Sequence, residues 1–299
     1  MSFIAFALIF VSVFLHVAWN MLSKGTKPSV TFYCLMSLTA SCIWLPFFLM
    51  SDISFLRMPF PFLLLVAGSL LGEVFYMVGL AYAYRRSDIS LVYPVVRALP
   101  VMIVAVVTTI FGLGKSLDFY DFAGMLLISA GCLLMPLRGL RDFSLKAYCS
   151  SVIGFILIGA AGTTMYTIFD SCALKIVREA AGNITVIDTL AYLFIIEFGQ
   201  VVCEMFFIVS SKRERTYFRH MFCRSVYPVL AGLCSSSAYA LVLFAMGYVT
   251  NVSYLQAFRQ ISLPLGFFAG VLILHEKAYA TKLAGVFIIA SGLLVMIFF

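Results

Sequence analysis

The chain has 299 residues, of which 63% are hydrophobic and only 11% charged. A water-soluble domain carries about a quarter charged residues, so this composition excludes an ordinary soluble globular protein. The net charge of +7 is scattered through short breaks between apolar runs, which excludes a folded basic domain for nucleic acid and fits membrane topology instead.

Taken in chain order, the first apolar run extends from Phe3 to Leu22, with no Lys or Arg before it. A secretory signal has a basic start and a shorter apolar core, so this run is expected to be a retained span. About 20 apolar residues cross a ~30 Å hydrocarbon core, and the sequence predicts ten such spans. They are 3–23, 29–50, 61–84, 89–111, 117–136, 150–172, 185–210, 226–248, 252–274 and 279–298. Spanning segments of this kind must satisfy their own backbone hydrogen bonds, so the expected fold class is an all-α integral membrane protein. Lys24 to Pro28, Arg85 to Asp88, Gly112 to Lys115 and Lys212 to Arg224 read as polar breaks, none long enough for a separate soluble domain. The eight cysteines include no CxxC pair and fall mostly in apolar runs. They are expected to be free thiols, with no metal site or cofactor.

Residues 121–135 align without gaps on 282–296, with six of fifteen positions identical, among them Ala123/Ala284, Gly124/Gly285 and Gly131/Gly292. One single-residue gap upstream, Arg97 falls on Arg259. The shift is five spans, an odd number, so the second copy must enter the membrane in the opposite sense. The chain is therefore expected to be two inverted five-helix repeats, 1–140 and 141–299, an architecture common in secondary transporters. Loop charge offers an independent test. Loops after odd-numbered spans hold 14 Lys and Arg, those after even-numbered spans hold 4, and Arg97 and Arg259 lie within spans. By the positive-inside rule the basic loops are cytoplasmic and both termini face outward. The Lys175/Arg178 loop fits this least well.

HVAWNMLSK (16–24), LVYPVVRALPVMIV (91–104) and YLQAFRQISLPLGFFAGVLILHEK (254–277), with the small-residue spans 5 and 10, resemble the drug/metabolite transporter superfamily of the EamA type. The likeness covers essentially the whole chain, although 178–225 carries no matching motif. It implies ten helices around a central cavity, alternating access, a small-molecule cargo and a bacterial inner membrane. Cargo varies widely among such proteins, and the chain could work as a monomer or a homodimer.

Arg97 lies eight residues past Ile89, about 12 Å into the core, and Arg259 seven past Val252, about 10 Å in from the opposite face. A charge at that depth is costly and turns to a cavity or a partner. Two readings stand. The arginines form a cationic pair for an anionic group, or each locks helices by pairing with Glu73, Asp170, Glu197 or Glu204. Glu204, near its span end, is expected to be solvated. Gln256, Arg259 and Gln260 share a helical face, and Tyr93 and Arg97, four apart, offer the matching face on span 4. Trp19 and Asn20 join them as candidate substrate contacts through the resemblance. His16, Glu73, Asp170 and Glu197 are candidates for proton coupling or charge pairing. Tyr76 and Tyr239 read as packing. Pro94, Pro100 and Pro264 beside the arginines either line a cavity or kink a helix. The glycines of spans 5 and 10 are expected to form a closely packed seam.

The expected function is secondary transport of a small polar or amphiphilic metabolite, with an anionic one favoured by the arginines. A lipid-linked-substrate flippase is the alternative on the same scaffold. A membrane-embedded enzyme is disfavoured, because no HExxH, nucleotide-binding loop or metal-ligand spacing is present.

Overall fold

The computed structural model describes residues 2–24, 29–86, 89–135, 137, 139, 152–182, 185–273, 275 and 278–298. Within them the chain is helical: α1 (Phe3–Lys24), α2 (Val30–Met50), α3 (Phe60–Arg86), α4 (Ile89–Ile110), α5 (Phe119–Leu134), α6 (Ile153–Ala181), α7 (Val186–Ser210), α8 (Lys212–Arg224), α9 (Tyr227–Ala245), α10 (Val252–Phe258), α11 (Ser262–Ile273) and α12 (Ala280–Phe298). Seven helices are long and apolar enough to cross a membrane, namely α1, α2, α3, α6, α7, α9 and α12, while α4 and α5 carry shorter apolar stretches. The division between predicted repeats, at 140/141, lies outside the described residues.

Polarity runs opposite to that of a soluble protein. Phe10, Phe14, Leu64, Leu71, Val202, Phe206 and Phe287 point outward, while Glu73, Arg97, Asp170, Gln200, Glu204, Gln256 and Gln260 are buried. An apolar exterior over a polar interior is stable only against lipid. The chain is an all-α membrane protein.

The most extensive pairings are α3 with α6, α5 with α12, α2 with α7, and α1 with α9. Glycine permits the closest of them. A Cβ on Gly162 would lie 2.4 Å from the Tyr76 amide nitrogen, and one on Gly79 would lie 2.7 Å from that of Gly159. At the α5–α12 seam, Gly124 faces Met296 and the Gly292 carbonyl, while Gly285 faces Met135 and the Gly131 carbonyl. Gly131 packs on Ile289, and Gly292 on Ile128. Every contact has a mate displaced by the shift that relates 124 to 285, so the seam is self-complementary, like an isologous dimer interface. Rising numbers on α5 meet falling numbers on α12, so the two run antiparallel.

The ninth predicted span is broken. Between α10 and α11, Arg259–Ile261 form a 3-10 turn. Pro264 has no amide hydrogen, and its ring crowds the carbonyl four residues back, so the α-helical ladder cannot pass. The sixth predicted span, by contrast, continues past 172 to Ala181 and ends at Gly182, whose φ of 72° suits glycine.

Candidate functional site

The break in span 9 fixes the site, because α4 bonds to the 3-10 turn that makes it. Arg97 on α4 donates from Nη2 to the Arg259 carbonyl and to Ser262 Oγ, each at 2.8 Å, and from Nε to Gln260 Oε1 at 3.2 Å. Its Nη1 stands 3.0 Å from His16 Nε2. Gln260 in turn donates to the Gln256 carbonyl. Arg97 thus clamps the broken helix, and it does not line the cavity beside it. Its hydrogen bonds tie helices together through a main-chain carbonyl and neutral side chains, and of the two arginines it is Arg259 that is among the lining residues.

His16 sits between two donors. The Trp19 indole N–H points at Nδ1, 3.1 Å away, while the Arg97 guanidinium faces Nε2. A neutral imidazole has one acceptor nitrogen and a protonated one has none, so both contacts cannot be hydrogen bonds at once. Asn20 is turned back, donating to the His16 carbonyl at 2.7 Å.

The cavity is lined by α1, α2, α3, α6, α7 and α9 together with Arg259, and its volume is about 50 Å3, room for a few water molecules. Of the residues singled out from sequence, it brings together His16, Trp19, Glu73, Glu197 and Arg259. Gln256, Gln260, Asn20 and Asp170 stand outside the lining, and the side chain of Tyr93 lies outside the described residues. Arg259 faces the ring of Tyr239 at 5.9 Å. Tyr76, Tyr166 and Tyr239 form an edge-to-face chain along this wall, with centroids 5.9 and 5.7 Å apart. These tyrosines, with Ser37, Gln200, Ser235 and Ser236, are the polar lining residues that sequence reasoning missed or took for packing. Hydroxyls on apolar helices are too common to stand out without the fold.

Asp170, fully buried, accepts hydrogen bonds from the hydroxyls of Ser69, Tyr192 and Tyr239, the Tyr192 bond being 2.6 Å. One carboxylate therefore ties α3, α6, α7 and α9 together, and Tyr239 presents its ring to Arg259 while its hydroxyl holds Asp170. Glu204 is not solvated as expected. It is fully buried, with Oε1 3.5 Å from Gln200 Nε2 and no partner for Oε2 among the described residues.

Fold and site together define an all-α membrane protein with a small cavity lined by His16, Glu73, Glu197 and Arg259. The chain matches no protein-family model and no curated protein. Twenty-eight solved chains are similar to it in structure. One, known simply as the crystal structure of a protein, has a TM-score of 0.69 and 15% identity over 98% of this chain and 96% of its own length. That likeness shows the fold alone.

Proposed function

We propose that this chain is a secondary transporter of the drug/metabolite superfamily, EamA type, moving a small polar metabolite by alternating access. The observation that carries this reading is the cavity, where Arg259 shares a few waters' worth of space with Glu73 and Glu197 inside an apolar bundle. Burying three ionisable side chains around so little volume is costly, and a passing solute that satisfies them offsets that cost. The cargo this lining suits carries an acidic group opposite Arg259 and a hydrogen-bond donor opposite Glu73 and Glu197.

The ten-span, inverted-repeat architecture belongs to the same proposal. The self-complementary seam between antiparallel α5 and α12 implies a local two-fold axis perpendicular to both helices. If they cross the membrane, that axis lies in its plane, which is the geometry of inversion. The helix pairing supports it too. Exchanging each span for the one five later turns α1–α9 into α6–α3 and leaves α2–α7 and α5–α12 unchanged. The broken span at mid-bundle is a further feature of such transporters.

The test is uptake into liposomes by the purified protein, screened with amino acids, organic acids and phosphorylated compounds. Saturable uptake that Arg259→Ala abolishes supports the reading. Uptake by no compound in the screen, or uptake unaltered in Arg259→Ala, sinks it.

A further inference from the structure

Lys212 to Arg224, which reads in the sequence as a polar break, is the helix α8, and its two faces differ in kind. Glu214 and Met221 are buried and Tyr217 and Phe218 half-buried, so one face packs on α2 and α7. Glu214 fixes this docking. Its carboxylate accepts from the backbone N–H of Thr31 at 3.1 Å and from the Thr31 hydroxyl at 3.0 Å, in the first turn of α2. That hydroxyl also reaches the Glu214 carbonyl. The single acid of the segment is thus consumed at a helix N-terminus, where negative charge is favoured.

The other face is cationic. Lys212, Arg213, Arg215, Arg219 and Arg224 are all exposed, with His220 and Phe222 among them. Arg215 and Arg219 are four apart and share one flank with Phe222, while Arg213, His220 and Arg224 share the other. The Arg213 guanidinium rests 5.8 Å from the Tyr217 ring. Connectivity sets where this face lies. α7 ends at Ser210 and α9 begins at Tyr227, and both are long and apolar enough to cross a membrane. A helix tied by so few residues to the ends of two spans has to lie along the bilayer surface.

We propose that α8 is a binding element for anionic phospholipid headgroups, lying in the plane of the leaflet with its cations on the phosphates and Phe222 at the acyl boundary. Basic, amphipathic, surface-lying helices bind anionic bilayers this way, through their charge. Each cation near such a surface contributes roughly a factor of five. Glu214 ties α8 to α2, the helix that also contributes Met36, Ser37 and Ala40 to the cavity wall. The inference rests on the chain spanning a membrane and is independent of what the cavity carries.

The test reconstitutes the full chain in vesicles of equal parts phosphatidylcholine and phosphatidylglycerol. Spin-labelled lipid then reports which headgroup is immobilised at the protein. Wild type should hold phosphatidylglycerol several-fold more strongly, and high salt should erase most of that preference. The combined variant R213Q/R215Q/R219Q/R224Q should lose most of it at low salt, whereas the four lysine replacements should keep it. A quadruple glutamine variant with wild-type selectivity would overturn the proposal. So would a wild-type preference that is absent, or unchanged by salt.

Discussion

Arg97 and Arg259 align in the two halves and carry the same group, yet their surroundings assign them different work. Arg97 donates to the Arg259 carbonyl, Gln260 and Ser262, all buried. Arg97→Ala removes the donor to all three acceptors, a loss of about 3 kcal/mol. It should lower the thermal midpoint in detergent by many degrees. Arg259→Ala, whose side chain faces the cavity, should leave that midpoint within a few degrees of wild type and abolish uptake. Equal melting shifts in the two would remove the distinction between clamp and contact. His16 gives a second prediction. A glutamine amide oxygen has two lone pairs and can accept from both Trp19 and Arg97, which the imidazole cannot. His16→Gln should therefore melt at or above wild type. His16→Leu, which leaves both donors unmatched, should lose about 1–3 kcal/mol. Glutamine as damaging as leucine would contradict the two-donor conflict.

Elements pack here through missing side chains, and α6 supplies its own control. At Gly162 a Cβ would sit 2.4 Å from backbone nitrogen on α3, whereas at Gly154 it would meet nothing within 4 Å. Gly162→Ala should force α3 and α6 apart and sharply reduce the yield of folded protein. Gly154→Ala should be neutral or add up to about 1 kcal/mol, as alanine does in helices. Size-exclusion profiles and thermal midpoints of the two variants decide it, and a well-behaved Gly162→Ala would refute the close approach. The same helices show how much was legible in the sequence. Apolar runs coincide with helices because hydrocarbon leaves a buried backbone no other partner. What escaped depends on contacts between distant segments. The α8 helix owes its placement to Thr31, far away in α2, and hydropathy shows it only as charge. The break at Arg259–Ile261 needs both Pro264 and a guanidinium from α4. That Arg259 meets the cavity while Arg97 does not follows from which helix breaks, and the aligned residues read identically on this point.

At the scale of the whole molecule, the number of crossings makes a prediction of its own. Seven helices qualify by length and composition. If only those crossed, the termini would lie on opposite sides of the membrane, whereas ten crossings put them on the same side. Either way an odd number of spans precedes α8, so α8 faces away from the N-terminus. By the positive-inside rule the basic residues of α8 predict a cytoplasmic α8 and an N-terminus outside. Three exposed positions read this out: Ser2, Cys223 in α8, and Phe298. In spheroplasts of strains carrying Ser2→Cys, native Cys223 or Phe298→Cys, each without other cysteines, a membrane-impermeant maleimide should label the two ends directly. Cys223 should react only after permeabilisation. A hidden Phe298→Cys beside a labelled Ser2→Cys would mean an odd number of crossings. The two halves could not then be upside-down copies, and the two-fold seam between α5 and α12 would be a local accident of glycine packing.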